Sequence, residues 1–179
     1  MSLPPEPLVF TRPHGGRLKV DRGALAVIAR HVQHAGDAPE AGGVLLGRRI
    51  ADTFDVVVDA ATEPMAADRR SRFRFVRHRR GHQLAIDRAW RRSGGRLGWL
   101  GEWHTHPEPD PTPSAVDRLD WRRKLVVDRY DESLFFLIAG TDRLRVWEGT
   151  WLRLARPLVP SPMSGLTTDG SGDGDQAHY

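Results

Sequence analysis

Glu102-Trp103-His104-Thr105-His106-Pro107, followed by Ser114-Ala115-Val116-Asp117, carries the side chains of this 179-residue chain whose types and spacing could do chemistry. Residues two apart on a strand point to the same face, so His104 and His106 can converge on one ion. Asp117 can close the site from the next element and leave a fourth position for water. Three nitrogen or oxygen ligands with one open position make the arrangement of a catalytic zinc rather than a structural one. The chain has no cysteine, so a zinc, one per chain, would be held by imidazole and carboxylate.

A His-x-His pair alone is a weak signal, and its neighbours strengthen it. Pro107 cannot donate to a ladder and ends the strand. Ser114, after Thr112-Pro113, stands at a helix N-cap, which puts Asp117 in the first turn, where the helix dipole favours a carboxylate. Other users of His-x-His fit less well. The metallo-β-lactamase pattern needs Asp where this chain has Glu108, an eight-fold barrel needs about 250 residues, and zinc deaminases need cysteines.

Glu-x-His-x-His-Pro with Ser and Asp downstream resembles the JAMM motif of the MPN-domain metalloproteases, Prok-JAB type. That family also has a glutamate far upstream at the start of an apolar strand, and Pro39-Glu40-Ala41-Gly42-Gly43-Val44-Leu45-Leu46-Gly47 matches it. The resemblance covers roughly residues 18–156. It implies an α/β fold, the αβα sandwich of the MPN domain around a mixed β-sheet, with His104, His106 and Asp117 on zinc. Gly101-Glu102-Trp103 ahead of the first histidine is similar to the deubiquitinase-like JAMM isopeptidases of bacterial CBASS anti-phage operons. Phe73, His82-Gln83 and Trp121 sit where that branch would place them. The implied partner is a ubiquitin-like protein or a ligase-conjugated protein, removed from its target.

Zinc lowers the pKa of water it binds to about 7 and polarises a carbonyl. Something must then take the water's proton and return it to the leaving amine. The resemblance assigns this to Glu40. The residues alone leave Glu102 open, since it shares a strand face with His104 and His106. It could orient a histidine, touch substrate at the rim, or simply face solvent. Ser114 can donate its hydroxyl to a developing oxyanion. Gly42 and Gly43 could let a peptide backbone approach, or mark a bulge.

These residues must be positioned by a sheet and its helices. The pattern predicts strands near 8–10 and 18–20, then a helix from an Asp21 N-cap to Gly36. Strands follow over 43–50, 54–60 and 72–76, then a helix over 80–93 stopped by Gly94-Gly95. The apolar run 97–105 predicts a central strand buried on both sides, and 116–129 a helix. Strands over 134–139, 143–148 and 151–154 complete a sheet covered on both faces. The domain is expected to span 1–156, and the Pro-, Ser-, Gly- and Asp-rich segment 157–179 to be a disordered tail.

Composition is that of an ordinary soluble domain, 39% hydrophobic and 28% charged. No run is apolar enough to span a bilayer and no signal peptide is evident, so a bacterial cytoplasmic protein without membrane association is expected. Seven arginines lie within 69–80. The balance of 27 basic to 23 acidic residues argues against a nucleic-acid partner. The alternation of Arg72 and Arg74 with Phe73 and Phe75 reads either as a solvated edge strand or as a substrate-binding one. On the second reading Arg72, Arg74 and Arg77 hold a protein tail added as an extra strand. Two alternatives to the isopeptidase stay open: a non-catalytic MPN scaffold, and a protease processing small sulfur-carrier proteins.

Overall fold

The computed structural model describes residues 6–127 and 133–161. Strands β1 (Leu8–Thr11) and β2 (Arg17–Val20) precede helix α1 (Arg22–Ala29), then β3 (Gly42–Arg49) and β4 (Val56–Ala61). A short ribbon, β5 (Arg69–Ser71) and β6 (Arg74–Val76), leads into α2 (Arg79–Arg92). Then come β7 (Gly98–Thr105), α3 (Ala115–Val127), β8 (Leu134–Ala139), β9 (Leu144–Thr150), β10 (Arg153–Pro157) and β11 (Val159–Pro160).

Nine strands form one mixed sheet in the order β10-β9-β8-β7-β3-β4-β2-β1-β11, with β2–β4 and β7–β8 parallel. β8, Leu-Phe-Phe-Leu-Ile-Ala, is buried throughout because both faces are covered. Its alternate residues Phe135, Leu137 and Ala139 join the core under α1, with Leu25 and Ile28. Leu134, Phe136 and Ile138 join a second core with Trp121 and Leu125 of α3. The Trp121 ring stacks on Phe136, centroids 4.6 Å apart. The expected α/β sandwich is therefore present. No helix among the described residues is long and apolar enough to cross a membrane.

Four expectations are corrected. The helix from Asp21 ends at Ala29 rather than Gly36, since the next amides fold back onto Ile28 and Ala29 in tighter turns. Asp21 holds the N-cap position without a capping bond and pairs with Lys19 instead. The strand expected over 72–76 is a hairpin outside the main sheet, turning at Arg72-Phe73. Neither turn residue takes the positive φ that tight hairpins favour; the Gln33 amide holds the turn from outside by donating to the Arg72 carbonyl. Finally, the sheet runs past residue 156. Leu158 is buried in the core and β11 pairs with β1. The remainder of the expected tail, 162–179, lies outside the described residues, as does the end of the expected helix at 128–129.

β7 is central, as expected, but only its α1 face is sealed. A bulge explains its run of apolar residues: Leu45 pairs with Gly101 and Leu46 with Trp99, leaving Leu100 extra. The extra residue shifts the side-chain alternation by one. Leu100 and Trp103 therefore both enter the α1 core, while Trp99 packs on the α3 side. Only glycine serves at 101, where a Cβ would lie 1.8 Å from the Phe135 carbonyl oxygen.

Candidate metal centre and cleft

His104 and His106 emerge at the end of β7, whose pairing is extended one step by the His106 amide donating to the Ala139 carbonyl. Asp117 enters from the first turn of α3. Its position is set by a reciprocal capping box. The Ser114 amide donates to Asp117 Oδ2 (2.7 Å), and the Asp117 amide donates to Ser114 Oγ (3.1 Å). The Ser114 hydroxyl also donates to Oδ2 (2.6 Å). Ser114 is thus at the expected cap, with its hydroxyl proton on the site carboxylate.

The donors converge as expected. Nε2 of His104 and of His106 lie 3.1 Å apart, and they approach Asp117 Oδ1 and Oδ2 at 3.3 and 3.4 Å. Zinc–nitrogen and zinc–oxygen bonds of about 2.0–2.1 Å at tetrahedral angles need donors about 3.3 Å apart. The set therefore fits a zinc-sized ion. Burial opposes Asp117's charge, yet bonds from His104 and His106, the His104 charge and the Ser114 bond hold its carboxyl far below the usual range. Burial pushes His106 down, and the Asp117 bond and charge more than reverse it.

Glu40 lies just before β3, where Gly42 stands opposite His104. The ribbon holds it at three points. Its amide donates to the Ser71 carbonyl (2.8 Å), its carbonyl accepts from Arg70 Nε (2.6 Å), and its carboxylate accepts the Phe75 amide. Burial raises its pKa from 4.5 to about 7; His106 pulls it down and Asp117 pushes it up. A carboxyl poised near neutrality beside a metal site is suited to taking and returning a proton.

A cleft of about 560 Å³ opens over these groups. Arg74, Phe75 and Arg77 form one wall, Val116, Trp121 and Lys124 of α3 the other, and Glu102, Trp103 and His104 the floor. Glu102 neither touches a histidine nor faces bulk solvent. It spans the cleft floor, accepting from Arg77 and, at 2.6 Å, from Lys124 Nζ. Arg72 stands apart at the ribbon turn, its guanidinium 5.2 Å above the Phe73 ring. A Cβ on Gly42 would strike Phe75 and on Gly43 the Thr62 carbonyl, so close internal packing explains the pair; the bulge lies beyond them.

Arg70 and Gln33 were not singled out by the sequence. Arg70 was one arginine in a cluster, and Gln33 a lone amide between His31-Val32 and His34. His82 acquires a physical role at the base of the ribbon. Fully buried, it bonds Thr62 Oγ1 (3.0 Å) and Asp68 (3.2 Å), whose other oxygen accepts the His78 amide (2.7 Å).

The model of the family described as prokaryotic homologs of the JAB domain matches residues 21–151. The chain belongs to this family. Relatives named CD-NTase/cGAS isopeptidase include one from Vibrio cholerae, 45% identical over 111 residues, 62% of this chain and 67% of that one. A second, from Pseudomonas aeruginosa, is 36% identical over 129 residues, 72% of this chain and 80% of that one. The solution structure of protein DSY2949 from Desulfitobacterium hafniense superposes with a TM-score of 0.54 at 25% identity, covering 77% of this chain and 87% of that one.

Proposed function

We propose that this JAB-family protein is a zinc-dependent isopeptidase that frees a protein from the lysine to which a conjugating enzyme has joined it. The observation that carries the reading is the convergence of His104, His106 and Asp117 beside a buried, proton-holding Glu40 under an open cleft. The relatives' name supports a conjugated CD-NTase-like protein as substrate; a ubiquitin-like modifier as the released group, an anti-phage role and a place in the bacterial cytoplasm belong to the same proposal.

His104, His106 and Asp117 would hold the ion, which when bound supplies acidification of water and polarisation of the scissile carbonyl. Glu40 takes the proton of the attacking water and delivers it to the leaving lysine amine. The carbonyl carbon gains the hydroxyl and the nitrogen gains the hydrogen, so the bond is hydrolysed without any other reactant. Ser114 would release Asp117 and donate to the developing oxyanion. Arg74 and Arg77, on the cleft wall, would receive the substrate's tail against the ribbon. Arg72 would act only at the rim.

The test is cleavage of an isopeptide-linked conjugate by the zinc-loaded protein. Cleavage that is abolished by a chelator, restored by zinc and absent in His106→Ala supports the reading. Cleavage indifferent to the chelator refutes the zinc dependence, and no cleavage at all sinks the reading in favour of a scaffold.

A further inference from the structure

Gln33 is buried, 3% exposed, in the segment that leaves α1. An amide there must be fully bonded to be tolerated, and this one is. Its oxygen accepts the Thr105 hydroxyl (3.1 Å), and its nitrogen donates to the Ala38 carbonyl (2.8 Å) and the Arg72 carbonyl (3.0 Å). Each partner belongs to a different part of the site. Thr105 stands between the two candidate histidine ligands. Ala38 lies two residues before Glu40, and Arg72 is the turn of the ribbon that bonds Glu40 at three points.

Thr105 completes the link. Its Oγ1 accepts the Ala41 amide (3.0 Å) while its own amide donates to the Ala41 carbonyl (2.8 Å). The residue after the base is thus tied twice to the residue between the ligands. A methionine at 33 would fill about the same volume, so volume alone does not account for the amide. Its bonds tie together the segment before β3, the end of β7 and the ribbon tip.

We infer that Gln33 is a positioning residue that, through Thr105, Ala38 and Arg72, fixes Glu40 relative to His104 and His106. This rests on the isopeptidase reading above. Gln33 touches no reacting atom and acts only through the backbone on either side of Glu40.

The test compares the zinc-loaded full chain with Gln33→Met, normalising rates to folded, metal-loaded protein. The expected result is parent zinc content and KM, with kcat on an isopeptide conjugate lower by about a hundredfold, the effect of a misplacement of about 1 Å. Amide exchange should quicken over 38–42 and 69–75 and stay unchanged in the slowest amides of β8. A parent-like kcat overturns the inference, as does exchange accelerated throughout the sheet. Should Gln33→Met fail to fold, Thr105→Val, which exchanges the hydroxyl for a methyl and so cuts the bonds to Gln33 and to the Ala41 amide, tests the link from its other end: lower kcat with exchange quickened over 38–42 is expected, and a parent-like kcat overturns the inference. Glu40→Gln in parallel separates the two levels. An active Glu40→Gln defeats the isopeptidase mechanism and this inference with it; an inactive Glu40→Gln beside a fully active Gln33→Met defeats this inference alone.

Discussion

Replacing Glu40 by Gln should stabilise the metal-free protein while disabling the enzyme. The buried carboxyl titrates at about 7 instead of 4.5, so holding it ionised in the fold costs about 3 kcal/mol. Below pH 4.5 both folded and unfolded chains keep the proton and the cost is absent. Between 4.5 and 7 the unfolded chain ionises freely while the folded one retains the proton, so stability falls as pH rises; above 7 the loss is complete. Gln retains an oxygen for the Phe75 amide and cannot ionise. Glu40→Gln should therefore match the parent near pH 4 and exceed it by up to about 3 kcal/mol at pH 8. Urea unfolding of both metal-free proteins at the two pH values reads this directly. The same variant, loaded with zinc, should lose about two to four orders of magnitude in kcat. A stability difference independent of pH, or a variant less stable at pH 8, would refute the argument that burial tunes this base.

His104→Ala should abolish zinc retention, measured by metal analysis after gel filtration, and a full complement of zinc would refute the ligand assignment. Glu102→Gln weakens the bonds to Arg77 and Lys124 and should cost about 1 kcal/mol of stability with kcat near that of the parent; loss of kcat comparable to that of Glu40→Gln would reassign the base. Arg74→Glu should raise KM on a protein conjugate and flatten its dependence on salt, whereas Arg72→Glu, at the turn and off the cleft walls, should do so less. Trp121→Ala removes the stack on Phe136 and should cost about 3–5 kcal/mol by thermal or chemical unfolding.

The centre was legible because its geometry is local. His104 and His106 share a strand face, and Ser114 with Asp117 is a capping box, so spacing alone brings three donors together. Glu40 was not legible from spacing; it lies 64 residues from His104 and entered through the family resemblance, and only the antiparallel register of β3 on β7 shows why it arrives there. The ribbon escaped a periodicity argument because Phe73 and Phe75 alternate with arginines as an edge strand would, while the turn is imposed by Gln33, 39 residues away in sequence. The Leu100 bulge was hidden likewise, since an unbroken apolar run carries no mark of where its phase changes. Leu158 was lost to composition: Leu158-Val159 between Pro157 and Pro160 reads as tail, although Leu158 fills the core.

The capping box bears on how the ion is acquired. Asp117 is bonded to the Ser114 amide and hydroxyl by the ordinary requirements of a helix start, with no metal needed to hold it. The backbone of both histidines is likewise held, that of His104 by the ladder of β7 and that of His106 by its amide's bond to Ala139. The metal-free chain should therefore already be folded at this locus, unlike a zinc finger, whose fold is contingent on its ion. Loading becomes a bimolecular capture by a finished receptor, first order in zinc and without a slow folding phase, and removal by chelator should leave the far-ultraviolet circular dichroism intact. Such a protein could be stored empty and switched on by supply of metal alone.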